Sequence, residues 1–365
     1  MSGSRINLQH EWPLLVAVLA AVLGFVFEHS LVHAGAVLLV AALFALVAVI
    51  ISVSFRIAHY AEELAERFGE PYGTMILTFS AVLVEVVMLA ILMADGSNPT
   101  LARDTVYAAV MMDINGIIGI AAIIGGIRHG EQKYNLNASN SYIAMLLVTL
   151  GIAMFVPDFV PAESWRAYSM FTIVITIVLY VVFLRIQTVE HRYFFRYSAT
   201  RPEDPVADAE DYTGPSVSLS VGMLVVSVIL VGVLAEILSV LLEPSEQMFG
   251  MPKAVPAVLI ALISASPEIL TAVRAAIRDQ MQTVINIALG ASLATVLLTV
   301  PVIELFALIN GMPIEMGITP VQAAMLLLTL LAAMINLHDG ESNVLEGTVL
   351  FALFSTFVML TLIAV

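Results

Sequence analysis

The sequence contains no cysteine, few basic residues and little charge of either sign. Of its 365 residues, 12% are charged, with 14 Lys and Arg against 29 Asp and Glu and a net charge of −15. The missing cysteines exclude disulfide frameworks, thiol nucleophiles and thiolate metal sites. Nucleic-acid binding needs clustered Lys and Arg, so the acidic balance argues against a nucleic-acid partner.

Apolar residues are correspondingly abundant, at 60% of the chain. A soluble domain has about 45–50% apolar and about 25% charged residues. Continuous apolar runs of about 18 residues or more predict spanning helices, whereas an outer-membrane barrel needs short segments of alternating polarity. We therefore expect an all-α polytopic membrane protein in the lipid bilayer, with eleven helices at 12–27, 34–55, 74–94, 105–127, 141–157, 167–189, 217–243, 254–277, 284–309, 320–337 and 346–365.

The basic residues sort unevenly between the two sides of this arrangement. The side that holds the N-terminus collects eleven of them, and the other side has only Arg103, Arg166 and Lys253. Because cytoplasmic loops are enriched in Lys and Arg, we expect a cytoplasmic N-terminus and an external C-terminus in a cell inner membrane. The eleven are Arg5, Arg56, Arg67, Arg128, Lys133, Arg185, Arg192, Arg196, Arg201, Arg274 and Arg278.

Two glutamates lie in the middle of predicted spans, Glu85 in the third helix and Glu268 in the eighth. A charge at the centre of a spanning helix costs about 2.5–3.5 kcal/mol on insertion scales, so such residues mark candidate functional sites. Each glutamate lies in the second helix of a predicted set of five helices. Because five is odd, the two sets are predicted to be inverted repeats with a site at the midplane. The predicted domains are an N-terminal helix and loop at 1–33, repeats at 34–189 and 217–365, and a linker at 190–216.

Other polar groups accompany these glutamates in the sequence. Pro267 cannot donate to the carbonyl of Ile263, which leaves that oxygen available beside Glu268 for a hard cation. Asp113 and Asn115 are about 200° apart on an α-helix, so we expect only one of them to face a given site. The candidate lining residues are Ser80, Asp113, Asn115, Ile263, Ser264, Ser266, Pro267, Asn286, Ser292 and Thr295.

Three further features outside the span centres are interpreted as surface features. Between Pro202 and Pro215 the linker carries five acids, which indicate either a regulatory cation-binding loop or a solvated linker. They are Glu203, Asp204, Asp208, Glu210 and Asp211. The amphipathic stretch at 57–70 predicts an interfacial helix on the cytoplasmic surface. Glu236 and Glu304 fall near helix ends and are expected to reach the membrane interface.

Enzymatic and transition-metal functions find no support in the pattern. All seven histidines fall in predicted loops or at helix ends, which disfavours intramembrane imidazole ligands. No predicted span contains His-Glu-x-x-His or a paired-acid protease motif. We expect a protein that is not an enzyme and has no cofactor, leaving its oligomeric state open.

The sequence resembles the ChaA-type calcium/proton antiporters of the cation/calcium exchanger superfamily. The similarity lies in Arg67-Phe68-Gly69-Glu70-Pro71 followed by the helix with Glu85, in Arg103-Asp104-Thr105, in Ser266-Pro267-Glu268 and in Leu293-Ala294-Thr295. Many exchangers of the superfamily have Gly-Asn before the glutamate. Here the corresponding positions are Ala81-Val82 and Ser264-Ala265.

The resemblance implies that Glu85 and Glu268 bind cation and proton alternately, so that Ca²⁺ leaves the cytoplasm in exchange for protons. The residues support such competition, because desolvation in the membrane favours a protonated carboxyl when no cation is bound. Export of Na⁺ or K⁺ is the alternative, and a cation channel is a third possibility. The small inorganic cations and protons would then be the only ligands.

Overall fold

The computed structural model describes residues 11–33, 35–68, 72–94, 98–187, 216–312 and 314–363. These residues form eleven helices and a two-stranded sheet. The helices are α1 (Trp12–His33), α2 (Ala36–Phe68), α3 (Tyr72–Leu92), α4 (Leu101–His129), α5 (Leu136–Phe159), α6 (Trp165–Arg185), α7 (Val217–Phe249), α8 (Val255–Ile277), α9 (Met281–Asn310), α10 (Pro320–Asn336) and α11 (Val344–Leu362).

The predicted all-helical membrane fold is confirmed. Within the described residues, nine helices are long and apolar enough to cross a membrane, and the apolar segments of α1 and α10 are shorter. The stretch at 57–70 is helical to Phe68 but does not begin a helix of its own, and its position at the membrane interface stays a prediction. It continues α2, which runs unbroken for 33 residues to Phe68. No Gly or Pro interrupts the sequence between the span and this stretch, so nothing ends the helix there.

The contacts group α1, α2, α3 and α7 into one compact unit. Within it, α2 packs against α3 and α7, and α1 packs against α2 and α7. Glu11 ties the start of α1 to α2 by an ion pair of 2.6 Å with Arg56, which also donates to Tyr60 at 3.0 Å. Glu85 belongs to this unit through α3.

The second unit contains α4, α5, α6 and α8 to α11. Its most buried spanning helices are α4 and α9. Strands β1 (Gln132–Lys133) and β2 (Glu341–Ser342) pair in antiparallel register and join the loop after α4 to the loop after α10. Each unit therefore combines helices from both halves of the sequence, and the division into repeats at 34–189 and 217–365 stays a prediction.

Helices α4 and α9 each contain a widened, π-helical turn, at Met111–Ile118 and at Thr295–Thr299. They are the third helices of the two predicted five-helix sets. Such turns are rare and are frequent at functional sites, because they turn side chains out of the regular α-helical register. By contrast, α8 stays helical through Pro267, so the carbonyl of Ile263 loses its usual donor without a break in the helix.

Candidate functional site

Glu85 lies on the buried side of α3. Its side chain is 2% exposed, and Met88, Leu89 and Leu92 share its burial at the spacing of one helical face. Ser80 lies one and a half turns earlier and donates its hydroxyl proton to the carbonyl of Ile76 at 2.7 Å. A carboxyl group in this position is removed from bulk water on a helix that otherwise carries apolar side chains there.

Glu268 has a different environment in α8, where its side chain is only half-buried. The hydroxyl of Ser264 donates to the carbonyl of Ala261 at 3.1 Å, and Ser266 donates to Leu262 at 2.5 Å. Both hydroxyls thus donate their proton within α8 and keep lone pairs that can accept a hydrogen bond or coordinate a cation. Ile263 is buried and Pro267 partly so.

Asp113 and Ser292 are brought together by the structure. Asp113 lies in the widened turn of α4 and is 2% exposed. The Ser292 hydroxyl of α9 donates to its Oδ2 at 2.9 Å. This hydrogen bond to a carboxylate links the third helices of the two predicted sets, at the point where each is widened or about to widen. Both residues were predicted as lining.

Asn115 faces a different helix from Asp113, as the angular argument from the sequence requires. Its Nδ2 donates to the Thr329 hydroxyl of α10 at 2.7 Å. Its Oδ1 is buried and has no hydrogen-bond partner among the described residues. Amide and carboxylate oxygens are the ligands that hard cations prefer, so this oxygen is a candidate ligand.

The other two predicted residues of α9, Asn286 and Thr295, lie in different parts of the helix. Asn286 accepts a hydrogen bond from Gln282 at 2.9 Å, and Gln282 in turn accepts from the backbone of Asn135 at 2.5 Å. Gln282 therefore links the start of α9 to the start of α5, and Asn286 accepts from the same side chain. Thr295 is buried in the widened turn and lies one turn after Ser292, in the direction of the helix end.

The chemistry assembled around α4 and α9 is a carboxylate, an amide oxygen and hydroxyl groups. Within the described part of the chain, no three His, Asp or Glu side chains come together as a preformed metal centre. Weakly held, reversible binding of a hard cation or a proton needs fewer charged ligands than a structural metal site. The acidic residues Glu203, Asp204, Asp208, Glu210 and Asp211 lie outside the described residues.

Two buried polar residues of the second unit were not predicted as candidate site residues. Thr329 interrupts an otherwise apolar run in α10, and that interruption was the available signal. Glu304 was expected at the membrane interface, and this expectation is wrong, because its side chain is 2% exposed. Its counterpart in that expectation, Glu236, is exposed. Distance from a helix end did not distinguish them, since burial depends on the neighbouring helices.

Comparison with known proteins agrees with this architecture. The family model described as sodium/calcium exchanger protein matches residues 35–189 and again residues 219–363. The chain is 32% identical over 355 residues to the sodium-potassium/proton antiporter ChaA of Escherichia coli, covering 96% of this chain and 95% of that protein. It is 24% identical over 308 residues to a Ca²⁺/H⁺ antiporter of Aphanothece halophytica, covering 80% of this chain and 82% of that protein. The solved structure of native YfkE covers 96% of this chain and 99% of its own, with a TM-score of 0.74 at 18% identity.

Proposed function

Because this chain belongs to the sodium/calcium exchanger protein family, we propose that it is a secondary active antiporter that exports Ca²⁺ from the cytoplasm in exchange for protons. The observation that carries the proposal is the burial of Glu85 in α3 and of Asp113 in α4. A carboxylate inside a spanning helix needs a neutralising partner, which can be a proton or a cation.

Competition between these two partners gives coupling. A carboxyl group shielded from water keeps its proton when no cation is present, and a divalent cation displaces that proton by binding the same oxygens. If the transporter changes its accessible side only with its carboxyl groups neutralised, a cation crosses one way and protons cross the other way. This alternating access requires no cofactor, and Glu85 and Glu268 are its proposed shared ligands.

The proposed ligand set extends beyond the two glutamates. Asp113 offers carboxylate oxygens, and Ser292 orients them through its hydrogen bond. The Oδ1 of Asn115 is an alternative oxygen ligand, because Asn115 faces a different helix from Asp113. Among the other residues predicted from sequence, Ser80, Ser264, Ser266 and Thr295 supply hydroxyl oxygens. We assign them to the lining of the ion path.

Monovalent export is a second candidate, and the 32% identical relative of E. coli, a sodium-potassium/proton antiporter, favours it. Parallel flux measurements separate the two. Purified protein in proteoliposomes is given an imposed pH gradient, and uptake of labelled calcium and labelled sodium is followed in matched samples. We expect calcium uptake that collapses with a protonophore. Sodium uptake alone would assign the second candidate, and uptake of either ion with no dependence on the pH gradient would contradict antiport.

The proposed location is the bacterial inner membrane, with the N-terminus in the cytoplasm. The distribution of basic residues supports this orientation. A reporter fused after Thr213 should therefore be cytoplasmic, and one fused after Val365 should be external. Both reporters on one side of the membrane would contradict the odd number of spans.

A further inference from the structure

Glu304 is a buried carboxyl group that the proposed site does not use. It lies in the last part of α9, six residues before Asn310, and is 2% exposed. Ser169 of α6 lies beside it. Its Oε2 is buried and has no hydrogen-bond partner among the described residues. A buried carboxyl oxygen without a partner is costly, and it needs an explanation such as a proton, a water molecule or an ion.

The described parts of the neighbouring helices α6 and α4 offer no ion-pair partner to an ionised Glu304. No ion pair within the described residues includes it. On α6, Tyr168 is close enough to interact electrostatically, but its hydroxyl donates to the carbonyl of Ile152 at 2.7 Å. Also on α6, Arg166 is exposed. A buried charge with no opposite charge is strongly disfavoured, so the carboxyl group is most stable with a proton attached.

Helix α4, which also contacts this part of α9, carries three ionisable groups near its start, Arg103, Asp104 and Tyr107. Arg103 is paired with Asp104 at 2.9 Å, and Asp104 also accepts from Gln322 at 2.8 Å. Tyr107 packs its ring edge against Phe357. The charge of Arg103 is thus already compensated by Asp104, and none of the three groups replaces a proton on Glu304.

Buried hydroxyl groups lie on α9 between Glu304 and the Asp113 region. Thr299, Thr295 and Ser292 are all buried, and Ser292 bonds to Asp113. The twelve residues from Ser292 to Glu304 correspond to about 18 Å of helix, and Glu304 is about 9 Å from the helix end at Asn310. Glu304 is therefore placed between one end of the helix and the predicted ion-binding region, with gaps that water molecules would have to bridge.

We propose that Glu304 is a further proton-binding residue of the transporter, in addition to Glu85 and Glu268, which takes up a proton near one membrane face and releases it toward the Asp113 end of α9. Release leaves a carboxylate, and a proton arriving through water from the membrane face restores the acid. The part that Glu304 plays in transport rests on the proposed antiport function. The presence of a proton on Glu304 does not, and it can be measured directly.

The first measurement concerns the proton itself. The infrared carbonyl band of protonated carboxyl groups is recorded at neutral pH on the full-length protein in detergent, for wild type, Glu304→Gln and the exposed control Glu163→Gln. We expect Glu304→Gln to lose part of this band and Glu163→Gln to match wild type. An unchanged band in Glu304→Gln would overturn the proposal, because the carboxyl group would then be ionised.

The second measurement separates a transport role from structural hydrogen bonding. Exchange in proteoliposomes is measured across a range of pH for the same three proteins and for Glu304→Asp. We expect Glu304→Gln to lose rate several-fold at alkaline pH, where proton supply limits exchange, and to approach wild type at acidic pH. Glu304→Asp should recover part of the alkaline rate. A Glu304→Gln profile identical to wild type would overturn the proposal and leave Glu304 as a neutral structural residue. If wild type itself exchanges no cation for protons, the proposed function fails, and the infrared result still stands on its own.

Discussion

The third helices of the two predicted five-helix sets, α4 and α9, share a backbone feature but differ in chemistry. Both contain a widened turn, yet the turn in α4 carries Asp113 and Asn115 whereas the turn in α9 carries only hydroxyl groups at Thr295 and Thr299. The Asp113–Ser292 hydrogen bond joins them. Both turns are thus widened, while only the turn in α4 carries a carboxyl group.

The second helices of the two sets, α3 and α8, share a chemical group but differ in its environment. Each carries one glutamate at a corresponding place in the sequence, but Glu85 is buried and Glu268 is half-buried. Similar chemistry thus occurs in two unlike environments. The comparison teaches that equivalent sequence positions in the two halves do not guarantee equivalent surroundings, so each member of a pair needs its own test.

The largest effect is expected for the two glutamates. Glu85→Gln and Glu268→Gln keep shape and hydrogen-bonding capacity but cannot exchange a proton for a cation, so each alone should abolish proton-coupled exchange in proteoliposomes. Glu236→Gln, which alters an exposed glutamate of α7, should retain it. If Glu268→Gln transported at the wild-type rate, only the buried member of the pair would be functional.

The charge asymmetry between α4 and α9 is tested by moving the charge. Asp113→Asn should weaken apparent cation affinity at least about tenfold, because hydrogen bonds and contacts to charged groups contribute about 1.5–3 kcal/mol each. The double variant Asp113→Ser with Ser292→Asp places the carboxylate on α9 and keeps a hydroxyl opposite it. We expect partial recovery of affinity relative to Asp113→Asn. If the double variant had an affinity as low as that of Asp113→Asn, the carboxylate would be required on α4 and could not act from α9.

A smaller effect is expected for the hydroxyl partner. Ser292→Ala removes the donor to Asp113 but leaves the carboxylate in place, so affinity should fall by less than in Asp113→Asn. Ser227→Ala removes a buried hydroxyl of α7 that donates to the carbonyl of Met223 within its own helix. This control should transport normally in the same flux assay. Equal losses in both variants would attribute the Ser292 effect to packing alone.

The smallest effect is expected for Thr329→Val. The substitution removes the acceptor of the Asn115 amide, a neutral hydrogen bond that contributes about 0.5–1.5 kcal/mol. We expect a modest loss of thermal stability in detergent and a shift in cation affinity below that of Ser292→Ala. A loss as large as that of Asp113→Asn would mean that Asn115 and its orientation are as important as the carboxylate.

Hydrophobicity accounted for most of the fold. A helix appears at each of the eleven predicted positions, and nine of these helices are long and apolar enough, within the described residues, to cross a membrane. Their ends are displaced by several residues where the helix continues past the apolar run, as in α2. The widened turns and the β1–β2 pairing were not predicted. A proline follows the turn in α9 at Pro301, but the turn in α4 contains no comparable signal, so local sequence could not locate it. The short strands depend on contacts between loops far apart in the chain.

The candidate site was predictable in its residue types and less so in its pairings. An acid in an apolar span is visible from sequence, which is why Glu85, Glu268 and Asp113 were identified. Which helix each residue faces depends on packing, so the Asp113–Ser292 and Asn115–Thr329 bonds required the structure. Asn286 accepts a hydrogen bond from Gln282, and its place in the lining stays a prediction. The joint use of Glu85 and Glu268 stays a prediction.

The central claim is that cation and protons compete for the same carboxyl groups. Calcium is added to the purified protein in a weakly buffered detergent solution, and released protons are measured with a pH indicator. We predict stoichiometric proton release from wild type, and none from the double variant Glu85→Gln with Glu268→Gln. Calcium binding to wild type without proton release, at a pH where the protein exchanges the two ions, would contradict the account.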